Sequence, residues 1–502
     1  MYESPKKTGT LKSEKYICYE RLDSMKILLA AAESAPFFKT GGLGDVVGAL
    51  PQALHRKGHD IRVILPCYKT MPVKYKDMLE DVLSFDLQMG WKSSYCGIKR
   101  LLLDGITYYF IDNWTLYDRD QCYGYWDDGE RFAFFCMAVC EAMEKMDFIP
   151  DIIHVHDWHT AMIPVLLVHK YHWIEAYRNI RKVFTIHNLR FQGIYDPILL
   201  ESLFGIGYGA YREDGVKYHD RMNFLMGGIN YSDRVTTVSP SYAREIQTPE
   251  FGEGLDEVLK YNSWKIRGIL NGIDTKVNDP RKDPLIAFNY DARSLGTKRK
   301  NKAALQERLG LTADADVAMI GMVTRLTDQK GIPLVLEALP ELIKKRVQLV
   351  VLGTGDSEWE YALRVAAHNN PEQISVTIDF DLALAQNIYA GSDIFLMPSA
   401  FEPCGLSQMI AFRYGSIPLV HETGGLRDTV IPYNPVTGEG TGFSFYDFTA
   451  KALLQVLDAA LQVYYDNPRQ WKALFRQGMK LDFSWNASTP LYEDIYRELL
   501  KE

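Results

Sequence analysis

Short apolar runs recur along this chain, most of them followed by a polar, glycine-containing loop and then a helical pattern. In order they are "KILLAAA", "IRVILP", "DIIHVH", "KVFTIH", "RVTTVS", "AMIGMVTR", "VQLVVLG", "DIFLMPS" and "SIPLVHE". A strand that is apolar on both faces must be covered on both, and crossover helices on either side of a parallel sheet supply that cover. The class is therefore α/β. At 502 residues the chain exceeds one ordinary core. The series of runs breaks across residues 262–286, which include the turn-rich "DPRKDP". This reading predicts two doubly wound, Rossmann-like domains facing across a deep cleft, at 25–266 and 267–482. The last segment, 483–502, is expected to pack back on the first domain, and residues 1–24 form a poorly ordered polar tail without a secretory h-region.

Ligands of open parallel sheets bind beyond the carboxyl ends of the strands. In the first half those ends carry Lys39, Asp157 in "HVHDWH", and His187 and Asn188 in "FTIHNL". In the second half they carry Arg325 and Lys330 in "TRLTDQKG", the "GTGD" turn, Glu402 in "PSAFEPCGL", and "ETGGLRD". Two cations, two glycine turns and a carboxylate in the second half point to a phosphorylated ligand, because cations hold a diphosphate more firmly as charge builds on it. Pro403 and Gly405 would let the amides of Gly405 and Leu406 turn inward.

The stretch "FFKTGGLGDVVGALPQALHRKGHD" at 37–60 reads as a glycine turn opening a helix, with amides and Lys39 available to an anion. It is no P-loop, since its lysine precedes the glycines and no GKS/T follows. It is a poor dinucleotide fingerprint as well: the spacing is GGxG, and the next strand ends in "LPCY" rather than an acidic ribose partner. The helix is predicted over Leu43 to Lys57, kinked at Pro51 and stopped by Gly58.

A net charge of −8 argues against nucleic acid or an anionic membrane as main partner. No apolar run reaches membrane-spanning length. Seven cysteines without a CxxC pair read as reduced thiols in a cytoplasmic protein, Cys136 and Cys140 as core residues. The histidines of "HVHDWH" have no second carboxylate–histidine cluster to complete a metal site. "DAD" at 314–316 and "DFD" at 379–381 are assigned no cation, so no metal is expected.

"KTGGLGDVVGALPQAL", "HVHDWHTAMIP", "FTIHNLRFQGIY", "VTTVSPSYAREI", "GILNGID", "VTRLTDQKG", "MPSAFEPCGLSQM" and "ETGGLRDTV" follow one another in this order. Over about residues 25–495 the set resembles the bacterial glycogen synthases and plant starch synthases, retaining glucosyltransferases of the GT-B fold. The resemblance implies transfer of glucose from ADP-glucose to the non-reducing end of an α-1,4-glucan, with no cofactor beyond that donor. It implies that Lys39, with the backbone at Gly41 and Gly42, and Asp45 serve the donor, that Arg325 and Lys330 bind the diphosphate, and that Thr423 and Gly424 add donors at a helix start. Glu402 would hold glucose hydroxyls, with Cys404, Gly405 and Leu406 around the sugar or phosphate and Asn271 lining the sugar pocket. His187 and Asp157 would face the reacting carbon and the acceptor, with Asn188 beside them, and Tyr123 would lie near the donor. Phe380 stands where relatives often have a tyrosine on the adenine, and stacking needs only the ring face. Ile410 stands where many related transferases carry a second glutamate.

Retention by two displacements would need a carboxylate nucleophile, for which Asp157 is the candidate. Front-face substitution is favoured: the departing phosphate takes the proton of the incoming 4-hydroxyl while His187 and Asp157 stabilise a cationic sugar. Two other classes compete. A nicotinamide-dependent oxidoreductase lacks its acidic ribose partner, and a catalytically silent glucan binder would not need every matched polar position filled.

Overall fold

The computed structural model describes residues 24–502. The expected tail therefore lies outside the described residues except Ser24, whose hydroxyl donates to the Gly58 carbonyl at 2.8 Å. Cys18 lies outside them too.

The strands in chain order are β1 (Lys26–Ala30), β2 (Asp60–Pro66), β3 (Glu80–Met89), β4 (Lys92–Leu103), β5 (Ile106–Asp112), β6 (Ile152–His156) and β7 (Arg181–Ile186). There follow β8 (Ile194–Tyr195), β9 (Lys217–Tyr218), β10 (Arg221–Asn223), β11 (Arg234–Thr237) and β12 (Ile266–Gly268). A nine-stranded sheet runs in the order β12-β11-β7-β6-β1-β2-β5-β4-β3, and β8, β10 and β9 form a small antiparallel sheet. β1 pairs in parallel with both β2 and β6, as the buried "KILLA" run requires. β4 instead runs antiparallel to β3 and β5. The sheet is thus mixed, and β3 alternates exposed and half-buried residues because one of its faces is wet.

The second large sheet holds β13 (Ala318–Val323), β14 (Val347–Leu352), β15 (Ile374–Thr377), β16 (Ile394–Met397), β17 (Ile417–His421) and β18 (Phe443–Phe445). Its order is β15-β14-β13-β16-β17-β18, and each neighbouring pair is parallel. Leu349, Ile320, Ile394 and Leu419 form the buried centre of one of its faces, against Ile332, Val335 and Leu342 of the helix Ile332–Leu342. The strand order reverses direction between β13 and β16, so the loops after these two strands open side by side.

Tertiary packing groups the described residues into two compact units. One comprises residues up to Thr185 with Phe191–Arg234 and Glu493–Glu502, and the other Ile186–Arg190 with Val235–Tyr492. Within the first, the closing helix is held by His59 against Glu493 at 3.0 Å and by the Tyr496 hydroxyl on His154 at 2.7 Å.

The helix after β1 spans Gly42–His55 with Pro51 inside it and buried. Gly58 has φ +95°, and its amide donates to the His55 carbonyl at 2.9 Å, ending the helix as expected.

Candidate functional site

In the first unit, β1 leads into a turn whose centre is a side chain absent from the expected set, Glu33. Its carboxylate is 1% exposed and lies under the 39–42 loop. Thr40 donates to it through its amide (2.5 Å) and its hydroxyl (2.6 Å), Gly41 through its amide (3.3 Å), and Tyr123 through its phenol. The Gly41 amide, expected to face a ligand, is thus committed to an internal anion. Burial first, and the Glu33 charge second, raise the Tyr123 phenol above its ordinary value. Lys39 forms an ion pair with Asp45 at 2.7 Å, half-exposed on both sides. The positions a Cβ would take on Gly41 and Gly42 meet no atom within 4 Å, so that side of the turn is open.

β6 delivers Asp157 at its carboxyl end with φ +56°, in the left-handed region. Its amide is held by the Thr185 carbonyl at 2.9 Å. A non-glycine residue kept there by surrounding bonds marks a position whose side-chain direction matters. His154 spends both ring nitrogens on Tyr496 and Thr185, at 2.7 and 2.6 Å, which removes it as a metal ligand. His159 packs among Trp158, Phe132 and Tyr123 with ring centroids 4.2, 4.6 and 4.9 Å away, and burial lowers its pKa to about 3.

In the second unit, the loops after β13 and β16 bring Lys330 and Glu402 together. Nζ lies 2.5 Å from the carboxylate, both groups are largely buried, and the Ser399 hydroxyl donates to the same carboxylate oxygen at 3.1 Å. Arg325 is exposed and has no ion-pair partner among the described residues. The two groups assigned to phosphate thus differ: one cation is free, the other already holds a carboxylate.

The glycine turn of "ETGGLRD" lies backbone to backbone on "EPCGL". The Gly425 amide donates to the Glu402 carbonyl at 3.0 Å, and a Cβ on Gly425 would stand 2.1 Å from the Cys404 carbonyl oxygen. Gln408, fully buried, ties the two turns with its amide nitrogen, which donates to the carbonyls of Cys404 (3.1 Å) and Gly405 (2.9 Å) and meets the Thr429 hydroxyl at 3.1 Å. Gly425→Ala is therefore expected to destabilise the protein by about 3 kcal/mol or prevent its accumulation, since backbone must move to admit the methyl. Gly41→Ala, with φ −161° and open space around it, should shift Tm little. Thermal melts of the pair check this, and equal Tm values would show that the two turns separate freely.

Thr423 and Gly424 were expected to offer donors to an anion. That position is taken by Glu245, which accepts from the Gly424 amide at 2.9 and 3.0 Å and from the Thr423 hydroxyl at 3.4 Å. Burial raises its pKa, against the pull of those donors. The neighbouring Ser241 donates to Asp428 from both amide (2.7 Å) and hydroxyl (2.6 Å), so "VSPSYAREI" and "ETGGLRD" lock together. Asn271 is buried with its carbonyl oxygen unpartnered, a free acceptor near Cys404, whose thiol burial pushes up to about 12.

His187 is buried after β7 and its pKa falls to about 3, so it is a neutral imidazole near pH 7. Asn188 is half-buried and its side-chain oxygen accepts from the Arg190 amide at 3.1 Å. Phe380 is 78% exposed on the loop after β15. The acids beside it are used locally: Asp379 accepts from the Phe380 amide, and Asp381 caps the helix Leu382–Gly391. Asp314 pairs with Arg346 at 3.0 Å. Among the described residues no three His, Cys, Asp or Glu side chains group as a metal site. Of the residues that reading the chain missed, Glu33 had a signal: it follows an apolar strand run just as Lys39 does. Glu245 and Gln408 had none, since each sits within a helical pattern.

Residues 26–261 match the family model described as starch synthase catalytic domain, and residues 306–473 match that of glycosyl transferases group 1. The glycogen synthase of Streptococcus mutans is 54% identical over 475 residues, 95% of this chain and 100% of that protein. That of Lactiplantibacillus plantarum is 55% identical over 478 residues with the same coverage. Among solved structures, the catalytic domain of starch synthase IV from Arabidopsis thaliana, bound to ADP and acarbose, superposes with a TM-score of 0.88 at 35% identity, covering 95% of this chain and 100% of that one. A sucrose-phosphate synthase from Thermosynechococcus elongatus, 17% identical with a TM-score of 0.60, shares the fold.

Proposed function

Because this chain belongs to the glycogen and starch synthase family of GT-B glycosyltransferases, we propose that it transfers glucose from ADP-glucose to the non-reducing end of an α-1,4-glucan with retention at the anomeric carbon. The observation that carries this reading is the identity of more than half of all residues across the full length of curated glycogen synthases.

The chemistry follows from charge. As the bond between C1 and the phosphate oxygen breaks, negative charge gathers on the leaving diphosphate, and cations placed there stabilise the transition state more than the ground state. Arg325 and Lys330 take that role, and Lys39 with the Gly42 amide adds to donor binding. In the donor complex Lys330 exchanges Glu402 for phosphate, which leaves Glu402 for glucose hydroxyls, with Asn271 as a second acceptor and Gly405 and Leu406 as amide donors. The new bond forms from the acceptor 4-oxygen to C1 on the face the phosphate leaves. The departing phosphate receives the 4-hydroxyl proton, so the products are ADP and a glucan longer by one unit. Neutral His187 and the Asp157 side chain stabilise the cationic sugar between these events. Phe380 covers the adenine face.

No resident metal or organic cofactor is required in this scheme, since protein cations meet the diphosphate charge. No helix among the described residues is long and apolar enough to cross a membrane. We place the enzyme in the cytoplasm, with a soluble nucleotide sugar and glycogen as its partners rather than nucleic acid or lipid.

Purified protein supplied with glycogen and ADP-glucose should release ADP and lengthen outer chains. UDP-glucose should be used at least roughly tenfold less efficiently in kcat/KM, a difference of about 1.4 kcal/mol in transition-state binding. Glucan binding without nucleotide release would overturn the assignment.

A further inference from the structure

The anion in the glycine turn at 39–42 is not a ligand but the protein's own Glu33. A buried carboxylate is tolerated only where its oxygens are hydrogen-bonded, and here each oxygen takes two donors. Oε1 receives the hydroxyls of Thr40 and Tyr123, and Oε2 receives the amides of Thr40 and Gly41. None of the four is a cation, so the group serves to fix geometry rather than to neutralise charge. The amides of Thr40 and Gly41 point inward as a result, while Lys39 and the open faces of Gly41 and Gly42 stay outward.

The partner that closes this network comes from 90 residues further on and is itself held rigidly. Asp128 accepts from the amides of Gly124 (2.7 Å) and Tyr125 (3.1 Å). Arg131, with 0% exposure, binds Asp128 at 2.5 Å and donates to the carbonyls of Cys122 (2.9 Å) and Leu116 (2.8 Å). Tyr123 is therefore set from one side by a buried arginine–aspartate pair and reaches the 39–42 loop through Glu33 and the Thr40 hydroxyl.

We propose that Glu33 is the positioning residue that holds the 39–42 loop and Tyr123 in one donor-ready arrangement, so that Lys39 meets the nucleotide sugar without first ordering its loop. The inference rests on the reading of this loop as a donor-binding element. A loop that must be ordered on binding weakens affinity for the ligand it touches and leaves the other substrate unaffected.

The test measures KM for ADP-glucose and for glycogen, ADP affinity by calorimetry, and Tm, in wild type, Glu33→Ala, Glu33→Gln and Tyr123→Phe. Glu33→Gln retains one acceptor oxygen and covers the case in which Glu33→Ala fails to fold. For Glu33→Ala the donor KM should rise roughly ten- to a hundredfold with glycogen KM within about twofold, and ADP should bind correspondingly more weakly. Glu33→Gln and Tyr123→Phe should show smaller shifts in the same direction, and adding Tyr123→Phe to Glu33→Ala should cost little more. Donor KM within about twofold of wild type in both Glu33 variants overturns the inference, while an active wild type leaves the proposed function standing. A parallel rise of both KM values, or a lower Tm with donor KM unchanged, assigns Glu33 a structural role only and overturns it as well. A wild type that transfers no glucose overturns the proposed function and this inference together.

Discussion

Lys330→Ala is expected to lower kcat roughly a hundred- to a thousandfold and to weaken ADP binding, with the fold retained. Lys330 pairs with Glu402 at 2.5 Å beyond the ends of β13 and β16. A lysine that is mostly buried, paired with one carboxylate and on the same loop after β13 as Arg325, is the charge best able to follow a leaving phosphate. Removing it deletes a group that acts more strongly as charge develops, so kcat falls further than substrate binding does. Folding survives because Glu402 keeps the Ser399 hydroxyl as a hydrogen-bond donor. Lys330→Arg should restore little, since a planar guanidinium does not fit the point-charge position of an ammonium. Single-turnover rates and ADP calorimetry on the same preparations measure both effects, and near-normal transfer by Lys330→Ala would remove the diphosphate assignment.

Glu402→Ala is expected to lose transfer by about a hundredfold as well, but with the opposite effect on nucleotide affinity. In the free protein Glu402 competes with phosphate for Lys330. Its removal leaves the ammonium available, so ADP should bind as well as to wild type or better, while the glucose unit loses the carboxylate that orients it. The substitution also strands a largely buried cation, which costs about 3 kcal/mol of stability unless an anion is present, so added ADP should raise Tm more than in wild type. Glu402→Gln keeps the volume and should recover stability but not rate. The double variant should be less impaired than the product of the two single losses, because one pair is being deleted twice. Loss of ADP affinity in Glu402→Ala would contradict the partner exchange on which the proposed chemistry depends.

The continuous apolar runs marked β1, β2, β6, β7, β11, β13, β14, β16 and β17 at their observed places. They did so because a strand buried on both faces is mostly apolar or β-branched, and its few buried polar residues, such as His154, Thr185 and Gln348, do not break the run. β3 and β4 escaped the same search because one face is solvated, and their alternation is broken by a register shift between Asp81 and Leu83. β15 is an edge strand buried only at Ile374, and β18 has three residues, so neither presents a continuous apolar run. Lys330 and Glu402 were legible separately as strand-end residues. Their pairing across 72 residues was not, since it depends on β13 lying next to β16.

The same limit explains the internal carboxylates. Gly41 and Gly424 carry the residue pattern of anion-binding turns, and both do bind anions, but these are Glu33 and Glu245 of the chain itself. Whether an amide in such a turn is free depends on which side chain packs against it, and for Gly424 that side chain comes from 179 positions away.

Element type, strand ends and the inventory of chemically able side chains came from the order of residues alone, because hydrophobic periodicity and turn preference act over a few neighbouring positions. Which cation faces which carboxylate, and which amides remain open to a substrate, was decided by strand order and the close approach of two glycine turns. Those are outcomes of burying the whole core at once, and no local stretch of residues encodes them by itself.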